Sequence, residues 1–470
     1  MVALMSIASV LGTQACSDDG TTPPNAVDAA VTDAFISADT GAVTPVDAAV
    51  TDAFISADTG AVTPVDAAPA DAGLLAYGTA VWAGTDFVTT ELVAMRVPRG
   101  GSPGTVLGRA PIAAGDVVLA ASGGRLFALL RKTGVVRVMD LANPWISSRD
   151  LVLSADAGDY AENPYDVAFL PGVNKAFVAR YASNSIAVFD PTSGTRSANV
   201  DLSQFSAGGD PDGFVDIAQL LADEPNGKTF ALLQRIDQFD WSGKCLPVKP
   251  LIVAFSPVGT AVPPAVGAGG MSVELDGANP QHMVLNAAAK KLYVSSLGCA
   301  EADAGAVYTR RGIEEVDLQT GAHRWIVNAS GTARLSSLLY AEGTAGFVRQ
   351  GSTYVPWSAS STTLGTAGFS AISPLMVSPS TVLRLVTTAA ANDAGVTWTT
   401  ELMAPATNVS TPVYASPWTS VRPDAAYGVG GVFLPASGVS TGASTRAPAF
   451  TPEAMRRRAA GAPDTAQSHF

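Results

Sequence analysis

Catalysis and metal binding need groups that move protons, attack carbonyls or ligate cations, and this sequence is sparing with them. Its three histidines are His282, His323 and His469. None stands in an HExxH pattern or another short His–carboxylate motif, so a hydrolytic zinc site would have to be assembled from distant parts of the chain. His282 follows an Asn279-Pro280 step and reads as a packed or rim residue rather than a ligand. Two segments fit G-x-S-x-G: GGSPG from Gly100 and GVSTG from Gly438. A nucleophile elbow places that pattern between a strand and a helix, and neither segment has that setting, so both read as loops. No catalytic residue is expected.

One acidic run is more suggestive. Asp210-Pro211-Asp212-Gly213-Phe214-Val215-Asp216 gathers three carboxylates around a glycine turn. Calcium takes about six to eight oxygens, which makes Asp210, Asp212 and Asp216 the calcium candidates. The run is short for a complete calcium loop, and Pro-Asp-Gly is also an ordinary β-turn; the turn is the preferred reading, and no other cofactor is expected. Besides Cys16 there are two cysteines, Cys245 and Cys299. In an exported chain two such residues usually pair, so a disulfide joining outer loops of adjacent repeats is expected, with buried free thiols as the alternative.

The amino terminus points to export. Val2 to Leu11 is an apolar run of ten residues, too short to cross a bilayer and suited to the core of a signal peptide. Thr13-Gln14-Ala15-Cys16 resembles a bacterial lipoprotein cleavage site, in which a small residue precedes the cysteine that becomes acylated. Thr13 stands where Leu is usual and Gln14 where a small residue is usual, and the first basic residue is Arg96. A start upstream of Met1 would supply the missing charge. A simple secretory signal and a buried apolar strand are the alternatives.

Behind Cys16 lies a spacer. VDAAVTDAFISADTGAVTP runs from Val27 and recurs unchanged from Val46, with a third start at Val65. Asp and Ala dominate, and only Phe35-Ile36 and Phe54-Ile55 offer apolar bulk, which is too little for a stacked solenoid. Residues 17–73 hold ten aspartates and no Lys or Arg, so of the net charge of −13 only −3 belongs to the rest of the chain. Such a segment is expected to be disordered and extended, able to hold a domain about 40 Å from a membrane. Its aspartates stand too far apart for a calcium loop.

From residue 74 the texture changes to short β-rich runs punctuated by Gly, Pro, Asn, Asp and Ser. Two stretches repeat. Asn163-Pro164 leads Lys175-Ala176-Phe177-Val178-Ala179 and then Ile186-Ala187-Val188-Phe189-Asp190-Pro191-Thr192-Ser193-Gly194. Asn279-Pro280 leads Lys291-Leu292-Tyr293-Val294-Ser295 and then Ile313-Glu314-Glu315-Val316-Asp317-Leu318-Gln319-Thr320-Gly321, with a loop inserted from Gly298 to Gly312. The Asn-Pro suits an extended lead into an inner strand, and Asp-x-x-Ser/Thr-Gly suits an Asx-type turn between outer strands. Weaker copies start at Arg125 and Lys228, with further strand pairs around 345–355, 382–402 and 426–434. Units of this size match blades of a β-propeller, whose apolar faces are hidden only by neighbouring blades. An all-β propeller of seven blades, each of four antiparallel strands, is expected.

KAFVARYASNSIAVFD, from Lys175 to Asp190, resembles the repeats of the YVTN/YncE-like β-propeller family, in which Lys-Leu-Tyr-Val is followed by a polar Ser-Asn turn and Ile-x-Val-x-Asp. The resemblance implies a secreted or surface-attached, seven-bladed protein with no shared enzymatic activity; propeller relatives include lactonases and quinoprotein dehydrogenases.

The sequence thus divides into a signal peptide of lipoprotein type (1–15), an acidic spacer (16–73), a propeller (74–446) and a tail (447–470) that is disordered or closes the ring. The acidic balance excludes a basic nucleic-acid binder. The expected protein is a monomeric, non-enzymatic lipoprotein of the bacterial envelope, lipidated at Cys16, offering the propeller as a binding or scaffolding surface to a protein or cell-surface ligand. The alternative is a lactonase- or quinoprotein-type enzyme with its site at the mouth of the central channel.

Overall fold

The computed structural model describes residues 76–435 with interruptions, the longest at 257–270 and 421–429, and from 372 onward it describes strands only. The signal segment, the spacer and the tail, with Cys16 and His469, lie outside the described residues. Both G-x-S-x-G segments fall there as well, save Gly104.

Short β-branched and aromatic runs between turn residues become antiparallel strands. The chain begins with β1 (Ala76–Thr85), β2 (Thr90–Pro98) and β3 (Thr105–Ile112). One blade follows as β4 (Val117–Ser122), β5 (Arg125–Leu130), β6 (Val135–Met139) and β7 (Ser147–Val152). The next is β8 (Pro164–Leu170), β9 (Lys175–Arg180), β10 (Ser185–Phe189) and β11 (Arg196–Asp201). Then come β12 (Ile217–Asp223), β13 (Lys228–Leu233), β14 (Leu251–Phe255) and β15 (Met271–Glu274). A five-stranded blade holds β16 (Pro280–Asn286), β17 (Lys291–Ser296), β18 (Cys299–Ala300), β19 (Tyr308–Asp317) and β20 (His323–Gly331). After it stand β21 (Leu335–Tyr340), β22 (Ala345–Gln350), β23 (Thr353–Ser358) and β24 (Phe369–Ser370). Another five-stranded blade holds β25 (Ile372–Ser378), β26 (Thr381–Thr387), β27 (Val396–Ala404), β28 (Val409–Pro412) and β29 (Trp418–Ser420), and β30 (Gly430–Pro435) ends the described chain. No α-helix occurs among the described residues, only short 3-10 turns such as Pro171–Val173.

The fold is a β-propeller, but the expectation of seven like blades of four strands is corrected. Six blades are each cut from one unbroken stretch of chain, and two of these carry a fifth strand, since β18 and β20 both pair with β19, and β28 and β29 both pair with β27. The remaining sheet, β3-β2-β1-β30, is composite: three strands from the N-terminal side are completed by one from the far end of the chain. Of the strand pair expected around 426–434, the described part is β30, and it pairs far away in sequence: Gly78 to Ala83 of β1 face Pro435 to Gly430. A strand that closes a ring has no partner nearby in sequence, so a reading built on local repeats cannot place it. The fifth strand at β18 is the folded part of the insertion after Gly298.

The inner strands β30, β4, β8, β12, β16, β21 and β25 touch in that order, and β25 returns to β30. Apolar clusters lie between successive sheets. Phe127 and Val138 of one blade share a cluster with Phe169 and Phe189 of the next. Phe177 and Val188 share another with Leu220 and Phe255, and Leu232 and Ile252 a third with Met283 and Val316. Burying each such side chain contributes about 1.5–3 kcal/mol, so contacts between blades are a large source of stability.

The repeats keep their register. Pro164 faces Arg180 and Asp166 faces Ala179, with an extra residue bulged between; Pro280 faces Ser296 and His282 faces Ser295 with the same bulge. The outer turns are Asx turns as expected. Asp190 Oδ1 accepts the amides of Thr192 (2.8 Å) and Ser193 (3.3 Å), and Asp317 Oδ1 those of Gln319 and Thr320, both at 2.9 Å. These amides hold both carboxyls below the usual carboxylate range. Gly194 and Gly321 end the turns at φ of 77° and 73°, where a side chain would be strained.

Because β30 closes the ring, ending the chain at residue 429 should lower the unfolding midpoint markedly and expose β1 to protease. Limited proteolysis and a thermal melt of the shortened protein check this; an unchanged melt would mean that closure contributes little.

Candidate functional site

The inner ring is organised by polar residues at repeated positions. The residue leading into an inner strand is Asp116, Asn163, Asp216 or Asn279, at φ of 57°, 27°, 48° and 50° respectively. Asp and Asn tolerate this left-handed backbone better than other side chains. The expectation that Asn-Pro leads into the strand in extended form is therefore corrected: the asparagine turns the chain, and its proline begins the strand. In each case the carbonyl accepts the amide that follows the second strand: Arg131 (3.3 Å), Tyr181 (3.0 Å), Gln234 (3.0 Å) and Leu297 (3.1 Å).

Side chains then link blade to blade. Arg131 Nε donates to Asn163 Oδ1 at 2.9 Å, and Gln234 Nε2 donates to Asn279 Oδ1 at 3.0 Å and to the Pro280 carbonyl at 2.9 Å. One step along, Asp166, Gln219 and His282 each follow a bulge, a device that re-aims a side chain. Asp166 Oδ2 accepts the Leu220 amide at 2.9 Å while Oδ1 accepts the Val167 amide at 2.8 Å. Gln219 Oε1 accepts the Met283 amide at 2.5 Å. His282 occupies the third of these places and is buried.

The calcium candidates fall within this scheme. Asp216 is fully buried, leads into β12, and its Oδ2 accepts the Ile236 amide at 3.1 Å. Asp212 Oδ1 accepts the Phe214 amide at 2.9 Å. Asp210 lies outside the described residues. Cys245 and Cys299 form a disulfide with Cα atoms 4.8 Å apart, joining the β13–β14 loop to β18 of the next blade. Arg310 fastens the same region, donating from Nε to the Asp276 carbonyl at 2.9 Å.

A third grouping was not legible in the sequence. Among the described residues, Asp276, Glu314 and His323 place one ligand atom each within 4.8 Å of one another. Asp276 lies in the crossover from β15 to β16, Glu314 on β19 and His323 at the start of β20, so the group sits where two blades meet. Glu314 is fully buried; Oε1 accepts the Gly277 amide at 2.6 Å and Oε2 the Asp276 amide at 2.9 Å, with His323 Nδ1 at 3.2 Å from Oε2. Asp276 Oδ1 accepts from Lys249 Nζ at 2.9 Å, and that bond holds its carboxyl below the usual range. Burial pushes the Glu314 carboxyl up, against the opposing effect of the two amides and His323. The signal that could have found the site is Glu314 itself, which occupies the place that buried Ala187 takes in the other clear repeat. A carboxylate at an apolar repeat position asks for a partner.

No family model matches the chain. No curated protein matches it either. Similar solved structures include a Pseudomonas aeruginosa periplasmic gluconolactonase, at 14% identity over 73% of this chain and 100% of that one, with a TM-score of 0.44. Another is hydrazine synthase of Kuenenia stuttgartiensis, at 12% identity over 59% of this chain and 75% of that one, TM-score 0.40. The β-propeller domain of Cps50 (Swd1) from Myceliophteria thermophila matches at 11% identity over 66% and 88%, TM-score 0.40. At these scores the propeller assignment stands on the ring of strands itself.

Two measurements test the polar framework. Asp166→Ala leaves the buried amides of Val167 and Leu220 without their acceptor and should cost about 2–5 kcal/mol in denaturant unfolding, with Asp166→Asn recovering part. A loss under about 0.5 kcal/mol would show that the link is dispensable. Glu314, whose folded pKa is raised, weighs against folding when ionised. Stability should therefore fall as pH rises above 4.5, the ordinary value, until the folded pKa is passed, by at most about 1.4 kcal/mol per pH unit. Glu314→Gln should lack that slope when unfolding is followed from pH 4 upward.

Proposed function

We propose that the protein is a non-enzymatic lipoprotein of the bacterial envelope, anchored through Cys16, that uses its propeller as a binding or scaffolding surface. The surface is the face bearing the loops after the second strand of each blade, and its ligand is a protein or another cell-surface molecule. The observation that carries this reading is the commitment of the inner ring. Arg131, Asp166, Asp216, Gln219 and Gln234 each hold the backbone or side chain of a neighbouring segment, which is framework work rather than catalysis. The loop face, in contrast, is stapled by Cys245–Cys299 and presents exposed Pro247 between β13 and β14. Fixing a loop in advance reduces the ordering entropy lost when a partner binds. A lactonase- or quinoprotein-type enzyme would instead draw reactive groups from the channel mouth, where these residues are engaged by backbone or side-chain partners.

Photo-crosslinking in intact envelopes tests the surface. A photoreactive residue at Pro247 should give a discrete adduct, whereas one at Lys290, in the turn at the opposite end of the strands, should not. Equal labelling from both would overturn the assignment of the face. In the same cells Cys16→Ala should release the protein from the membrane fraction; retention would remove the anchor.

A further inference from the structure

We infer that Asp276, Glu314 and His323 form a binding site for one divalent transition-class cation, zinc being the best fit, which fastens two neighbouring blades. The inference is independent of the proposed binding surface. The donor set of one imidazole nitrogen and two carboxylates suits zinc, which accepts His nitrogen and Asp or Glu oxygen in a four-coordinate shell and leaves a place for water or a hydroxyl. A calcium site would be built from oxygen alone and in greater number.

One observation beyond the clustering points to a ligand. Ser296, on β17, is fully buried, and its Oγ has no hydrogen-bond partner. That Oγ and Glu314 Oε1 both pack against the Gly277 Cα, the carboxylate oxygen 2.7 Å from where a Cβ would stand, so the hydroxyl lies beside the buried carboxylate. A buried hydroxyl facing a buried carboxylate without bonding to it marks a polar spot that a cation or its water would satisfy. Each carboxylate oxygen of Glu314 takes one backbone amide, which leaves further lone pairs available. Those amides also fix the carboxylate against rotation, as outer partners fix metal ligands elsewhere.

The remaining donors can adjust. The Asp276 side chain is 45% exposed and pairs with Lys249, itself 44% exposed, while His323 is half-buried at a strand start. Donors spread over 4.8 Å must draw in slightly to meet at zinc–ligand distances of about 2.0–2.2 Å, and the two adjustable side chains can do so. Lys249 and the cation would compete for Asp276. Binding would bridge the β15–β16 crossover to β19 and β20, close to the disulfide that joins the same two blades.

The test uses untagged, chelator-stripped full-length protein titrated with ZnCl2 by calorimetry, with bound metal counted by mass spectrometry. The expected result is one saturable zinc and a thermal midpoint raised by several degrees at about a hundredfold excess over Kd. His323→Ala and Asp276→Asn should each weaken that binding at least about tenfold, and Lys249→Ala, which removes the competitor, should tighten it. Both His323 and Asp276 are partly exposed, so these variants should fold, and circular dichroism verifies that they do. Zinc binding equal in wild type and His323→Ala would assign the metal to other acidic groups and overturn the site. So would no saturable binding, or binding of CaCl2 in preference to zinc.

Discussion

A blade of antiparallel strands has two apolar faces, and the propeller exists only if every face meets a neighbour. That makes ring closure the constraint on which the rest of the structure depends. Closure is achieved by pairing β1 with β30, strands separated by almost the whole described chain. Without that ladder the first and last sheets would each turn an apolar face and an open edge to water, the situation in which β-proteins aggregate. With it, the apolar clusters described between successive blades, from the composite sheet round to the sheet of β21 to β24, belong to a closed ring rather than an open arc.

Apolar packing is non-directional, so it cannot by itself set how far one blade is shifted along the next. The polar positions of the inner ring supply that direction. Asp166 and Gln219 each reach from one inner strand to a backbone amide of the following one, and Arg131 and Gln234 reach to the asparagine that leads into it. A slip of one residue would leave these buried groups unpaired, at a cost of about 1–3 kcal/mol each. The bulges that aim them thus specify register, as buried polar groups do where apolar surfaces alone would tolerate several alignments.

How much of this was legible depends on how local each feature is. The hairpins from Asn163 to Asp190 and from Asn279 to Asp317 were readable because strand pattern, turn residues and register lie within a few dozen residues, and the Asx turns at Asp190 and Asp317 follow from side-chain reach alone. The pairing of Cys245 with Cys299 was readable from scarcity: besides Cys16 the sequence holds two cysteines, which leaves few options. The closure by β30 and the fifth strands were not, since they join distant or inserted segments. Left-handed backbone at Asn163 and Asn279 was hidden by the proline that follows each, which suggested extension. Asp276, Glu314 and His323 come from three elements of two blades, so no short motif unites them. The one local trace of the group is the carboxylate of Glu314 at a repeat position that holds Ala187 in the other copy.

The composite sheet also governs how the domain bears load. A pull on the chain upstream of Ala76 arrives at β1, which is bonded along one edge to β2 and along the other to β30. Had the first strand been an outer edge strand, it could peel away one rung at a time and take its blade with it. Here two ladders must yield together before the ring opens, so the closing strand is also the domain's mechanical latch.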